Sequence, residues 1–105
     1  MNPTDREVAE SPKYQGEDER IAYTVDTSDW GGTPTAVNVG IYTYNGITYT
    51  DTTTTNLSGA ASVVGDVITT PLVIALTDGV TYRLEIRFTS GGHVYEPFMQ
   101  IVGQR

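Results

Sequence analysis

Residues 80–88, Val-Thr-Tyr-Arg-Leu-Glu-Ile-Arg-Phe, alternate apolar and polar side chains without a break. A period of two puts Val80, Tyr82, Leu84, Ile86 and Phe88 on one face and Thr81, Arg83, Glu85 and Arg87 on the other. That pattern belongs to a strand with one buried and one wet face, and it does not fit a helix. The chain repeats the theme from residue 20 onward. Ile21, Tyr23 and Val25 alternate with Ala22, Thr24 and Asp26, and Val37, Val39 and Ile41 with Asn38, Gly40 and Tyr42. Threonine is the commonest residue, and β-branched side chains suit a pleated surface. Helical periodicity is nowhere sustained, so the fold class is all-β.

Turn chemistry divides the strands. Asn45-Gly46 reads as a two-residue type I′ hairpin, because that turn needs φ > 0 twice; it pairs Tyr44 with Ile47 and Tyr42 with Tyr49. Gly65-Asp66, between Val64 and Val67, reads as a II′ turn. Pro71 makes Leu72–Leu76 an edge strand or a crossing segment, and Pro97 marks an edge or a bulge within the closing strand Val94–Val102. A single antiparallel sheet of these strands would leave its apolar face wet, so a sandwich is expected. Trp30, beside Gly31-Gly32, is expected to plug one end of it.

Residues 1–19 differ from the rest. They are rich in charge and poor in apolar groups, a composition that cannot offset the entropy of ordering the chain by itself. The expected division is therefore an extended N-terminal arm over 1–19 and a β-sandwich over 20–105. Fully extended, the arm reaches roughly 60 Å at ~3.3 Å per residue, enough to cross onto a neighbouring subunit. Val8 and Tyr14 are its candidate anchors, with Lys13 and Arg6 supplying polar pairs.

Composition removes much of the functional menu. With no cysteine in 105 residues, disulfides, thiolate zinc sites and cysteine nucleophiles are excluded. A formal charge of −7 argues against binding a phosphate backbone, where affinity comes from neutralising charge. No apolar run is long enough to span a membrane, and the polar start offers no secretory signal. His93, the one histidine, follows a Gly-Gly turn, and Glu96, its nearest acid in sequence, falls on the opposite face of a strand; no catalytic pair results. Ser58-Gly59 and Ser90-Gly91 are turn residues. Asp26, Asp29, Asp51, Asp66 and Asp78 match no calcium loop. No enzyme, metal site or cofactor is expected. Tyr42, Tyr44 and Tyr49 can form an aromatic patch on the hairpin, suited to a protein interface or to stacking on a sugar.

Two resemblances sharpen the expectation. Leu76-Thr77-Asp78-Gly79-Val80-Thr81-Tyr82 resembles the tyrosine corner of fibronectin type III and immunoglobulin-like domains. That likeness implies an immunoglobulin/fibronectin type III-like antiparallel β-sandwich in which Leu76 caps the core, Gly79 makes the corner and the Tyr82 hydroxyl bonds back to the connecting backbone. Over residues 20–102, the succession Ile21–Val25, Asp29-Trp30-Gly31, Ser62–Thr69, Leu76–Ile86 and Gly92–Glu96 resembles small proteins of tailed bacteriophages and prophages. The resemblance implies a virion component, a decoration or cement protein on the capsid exterior, assembled in the host cytoplasm. Its partners would be other virion proteins, chiefly the major capsid protein, or further copies of itself. A neck, tail or fibre-attachment adaptor and a cell-surface glycan-binding module are the alternatives.

Overall fold

The alternating segment becomes the central strand of the fold. The computed structural model describes residues 12–105. In chain order the strands are β1 (Lys13–Gly16), β2 (Thr24–Asp26), β3 (Thr35–Tyr44), β4 (Tyr49–Asp51), β5 (Leu57–Ser58) and β6 (Ser62–Val64). They continue with β7 (Val67–Thr69), β8 (Leu72–Val73), β9 (Thr81–Ser90), β10 (His93–Tyr95) and β11 (Phe98–Gln104). A 3-10 turn occupies Ser28–Trp30 and one helical turn, α1, spans Thr53–Asn56.

One six-stranded sheet has the order β1-β11-β9-β3-β4, with β10 also on β9. Facing it are a three-stranded sheet, β2-β7-β6, and the pair β5-β8. The expected alternation holds on β9, where Tyr82, Leu84, Ile86 and Phe88 are buried. With Val39, Ile41, Met99 and Ile101 from the same sheet, they pack against Val25, Ile68, Val73 and Leu76 in one cluster. Each fully buried side chain of this size contributes about 1.5–3 kcal/mol. Trp30 closes one end of the cluster, its ring edge-on to Phe88 at 5.8 Å. The architecture is all-β and sandwich-like.

The Gly65-Asp66 turn is as expected. Val64 pairs with Val67, and Gly65 takes φ +59 at the first turn position, which a glycine adopts without steric cost. The tip is pinned to the 3-10 turn, because Thr27 donates from both its amide and its hydroxyl to the Asp66 carbonyl.

Three features differ from the sequence reading. The hairpin at Asn45 pairs Tyr44 with Tyr49 and Tyr42 with Asp51, two residues out of the expected register. Asn45 Oδ1 accepts from the amides of both Ile47 and Thr48 at 2.9 Å, and so stabilises a four-residue loop in place of the type I′ turn. Pro97 interrupts the closing strand without shifting its register: Tyr95 opposes Phe88 and Phe98 opposes Glu85. Ile86 donates its amide to the Pro97 carbonyl at 2.9 Å, and the proline has no N–H to return.

The third difference concerns the arm. Arg6 and Val8 lie outside the described residues. Lys13 and Tyr14, however, belong to β1, which adds parallel to β11 within the domain's own sheet, Lys13 opposite Ile101 and Tyr14 opposite Val102. The folded unit therefore begins before residue 20. What holds β1 is the main-chain ladder together with Gln15, whose side chain is fully buried. Its amide donates to the carbonyls of Val73 and Glu19 and accepts from the Tyr23 hydroxyl at 2.8 Å.

A candidate docking face on the outer side of the large sheet

The pleat that buries Leu84 and Ile86 turns Arg83, Glu85 and Arg87 outward, and strand register decides what they meet. Tyr42 lies opposite Arg83 on one side and Asp51 on the other, while Gly40 and Phe98 flank Glu85. The guanidinium of Arg83 sits 3.8 Å from the Phe98 ring centroid and 5.2 Å from that of Tyr49. Its Nε is 2.7 Å from Glu85 Oε2, and its Nη1 donates to the Tyr49 hydroxyl at 3.3 Å. Tyr49 in turn stacks on Tyr44, with ring centroids 4.6 Å apart and planes at 27°. Tyr44, Tyr49, Arg83 and Phe98 thus form a row across four strands. Tyr44 and Tyr49 remain 41% and 50% exposed, and Ile47, 87% exposed, stands at the tip of the same hairpin.

Beside the row runs a groove of about 700 Å³ bordered by Asn38, Tyr42, Asp51, Thr53, Glu85 and Arg87. Gly40 makes it possible: a Cβ there would stand 3.1 Å from the Tyr42 hydroxyl, so the ring can lie back over the bare strand. Burial pushes the Tyr42 hydroxyl above its ordinary pKa, and the charges of Glu85, Asp51 and Glu96 push it the same way. The Asp51 carboxyl is held below its usual value by hydrogen bonds from the Thr53 hydroxyl and amide. The groove thus brings Asp51, Glu85 and Glu96 close to the Tyr42 hydroxyl, with Arg87 in the same lining and Arg83 paired to Glu85.

The expected residues fall in three places. Tyr42, Tyr44 and Tyr49 do share one face, but only Tyr44 and Tyr49 stack, while Tyr42 lines the groove. Tyr14, 60% exposed, opens to the same side at the far edge of the sheet, across from Val102. Leu76, Gly79 and Tyr82 form a corner at one end: Leu76 and Tyr82 are buried, and the Thr77 amide donates to the Tyr82 hydroxyl at 2.8 Å. His93 is exposed on β10, its ring 6.2 Å from that of Tyr95. Among the described residues no three His, Asp or Glu side chains are grouped to hold a metal ion.

Sequence reasoning did not single out Arg83, Phe98 or Gln15. The alternation of β9 places Arg83 outside, but its aromatic neighbours come from strands distant in the chain. Gln15 gives no local signal, because what buries it is the return of the chain at Val73, 58 residues further on. No family model, curated protein or solved structure matches the chain.

Proposed function

We propose that this protein is a non-enzymatic assembly module that docks on a partner protein through the outer face of its six-stranded sheet. The observation that carries the reading is the row Tyr44–Tyr49–Arg83–Phe98, whose two tyrosines are exposed while Arg83 and Phe98 are half-buried, held in one arrangement by stacking, an ion pair and a hydrogen bond. Tyrosine and arginine are enriched at interfaces because they offer contact area with little conformational entropy left to lose, the more so when already ordered. Since Lys13–Gly16 belongs to the chain's own sheet, the face supports this reading better than an N-terminal arm does.

The resemblance to small phage proteins supplies the partner to test first: an assembled virion shell, with this chain as a decoration protein. Its mechanism would be linkage, since a module that binds only the assembled shell shifts the equilibrium toward the intact particle, and repeated contacts over a lattice multiply a weak individual affinity. The test is cosedimentation of the purified chain with empty shells of the virus that encodes it. Saturable binding to shells, absent with unassembled shell subunits and weakened about tenfold or more by Tyr49→Ala, is the expected result. Saturation at the few copies of a neck or tail ring would replace decoration by an adaptor role. Shell binding that Tyr49→Ala leaves unchanged would remove the outer face from the reading.

A further inference from the structure

The β3–β4 hairpin carries Asn45-Gly46 at its tip, and an asparagine loses its side-chain amide when the backbone nitrogen of the next residue reaches its Cγ. The chain has four asparagines, Asn2, Asn38, Asn45 and Asn56, and three are poorly placed for that step. Asn2 precedes a proline, which has no N–H to give up. Asn38 precedes the β-branched Val39, inside β3 where both residues are paired to β9. Asn56 is buried, and its Nδ2, the leaving group, donates to the carbonyls of Ile74 and Ala75.

Asn45 differs on each count. It and Gly46 are exposed. Gly46 brings no Cβ to crowd the attack, and the space where one would stand is empty to 4 Å. Among the described residues the Gly46 N–H has no hydrogen-bond partner, so no bond has to break before that nitrogen reacts. Asn45 Oδ1 already accepts the Ile47 and Thr48 amides, each at 2.9 Å. Negative charge collects on that oxygen as the nitrogen adds to Cγ, and fixed donors at about 2.7–3.1 Å lower the barrier to such a step.

We propose that Asn45-Gly46 is a self-modification site, at which the folded hairpin converts asparagine to aspartate and isoaspartate without an enzyme. Hydroxide takes the Gly46 amide proton, and the nitrogen bonds to Asn45 Cγ. The Cγ–Nδ2 bond then breaks, and the departing nitrogen takes a proton from water, leaving as ammonia and regenerating hydroxide. Water opens the resulting succinimide at either carbonyl. Breaking the bond between Cγ and the Gly46 nitrogen leaves aspartate; breaking the bond between the main-chain carbonyl carbon and that nitrogen leaves isoaspartate, whose backbone runs through Cγ. Either product adds a negative charge to the tip. Aspartate keeps an oxygen for the Ile47 and Thr48 amides. Isoaspartate adds a methylene to the main chain and displaces that oxygen, which loosens the loop that sets Tyr44 against Tyr49. The conversion does not depend on the docking reading; only its effect on binding does.

The test holds the full chain warm at mildly alkaline pH, folded and, in parallel, unfolded in urea, while peptide mapping by mass spectrometry follows all four asparagines. In the folded protein Asn45 should convert at least about tenfold faster than Asn38 or Asn56. It should also convert no more slowly than in urea, and faster as pH rises. A folded rate below the rate in urea would overturn the proposal, because the hairpin would then be protecting the site. In amide spectra the variant Asn45→Asp should keep the Tyr44 and Tyr49 signals near their wild-type positions, and aged wild-type protein should show a second, isoaspartate set. Aged protein whose Tyr44 and Tyr49 signals match those of Asn45→Asp alone would overturn the loosening of the loop. Neither readout involves a shell, so failure here is distinguishable from failure of the docking reading.

Discussion

The hydroxyl of Tyr82 accepts the backbone N–H of Thr77 at 2.8 Å, which ties the start of β9 to the loop that delivers it. The ring is 2% exposed and packs with Leu76, while Gly79 turns the chain between them with φ +82. Tyr82→Phe keeps the ring and removes only the acceptor. It should cost about 1 kcal/mol, which for a domain of this size lowers Tm by roughly 4–8 °C. Calorimetry checks it, and an unchanged Tm would show that the corner is held by packing alone.

Gln15 joins three segments through one amide, reaching Val73 and Glu19 by its nitrogen and Tyr23 by its oxygen. Gln15→Leu has a similar size and none of these bonds. It leaves the Tyr23 hydroxyl and the Glu19 carbonyl without this partner, at a cost of about 1–3 kcal/mol. Urea unfolding measures it. In combination with Tyr23→Phe the loss should be less than the sum of the two single losses, because both variants break the same bond. Full additivity would mean the bond contributes nothing.

These two sites also show where the sequence was legible. The faces of β9 and β3 could be read because a period of two repeats over many residues, and Gly65-Asp66 could be read because a II′ turn is decided by its own two residues. The corner was visible for the same local reason. β1 was hidden because an edge strand in a polar segment is held by main-chain bonds and one buried amide, neither of which changes composition. The Asn45 hairpin misled because its Asn-Gly pair favours one loop while the Asn45 side chain and the Tyr44–Tyr49 stack favour a longer one. The row through Arg83 depends on β3, β9 and β11 being neighbours, a fact of topology that no local pattern contains.

Ala36 is a position where the chain carries strain. β3 slips by one residue against β9 between Thr35 and Asn38, and Ala36 within that bulge adopts φ +53. The left-handed region costs a residue with a Cβ about 1–2 kcal/mol, part of which a glycine returns as extra unfolded-state entropy. Ala36→Gly should therefore stabilise the protein by a few tenths to about 1 kcal/mol, raising the denaturant midpoint at unchanged m-value. Since Ala36 is exposed, no lost packing offsets the gain, and a lower midpoint would mean the bulge is not populated as described.

Alkaline pH should destabilise the fold through tyrosine. Burial, and then the charge of Glu19, raise the Tyr23 pKa above its ordinary value of 10.0; Tyr42 is shifted the same way, chiefly by burial. For a group whose pKa is higher in the folded state, the native state binds more protons in the window between the two values, so stability falls as pH rises through it. The contribution is complete below about pH 10 and disappears as pH climbs through the raised folded value. The Tyr23 case has a structural counterpart, since only the protonated hydroxyl can donate to Gln15 Oε1. Urea midpoints measured from about pH 8 to about pH 11.5 should fall at the alkaline end. Tyr23→Phe should start lower at neutral pH and fall less steeply, and Tyr23→Phe/Tyr42→Phe should flatten the profile further. If the double variant keeps the wild-type slope, other groups set the alkaline limit.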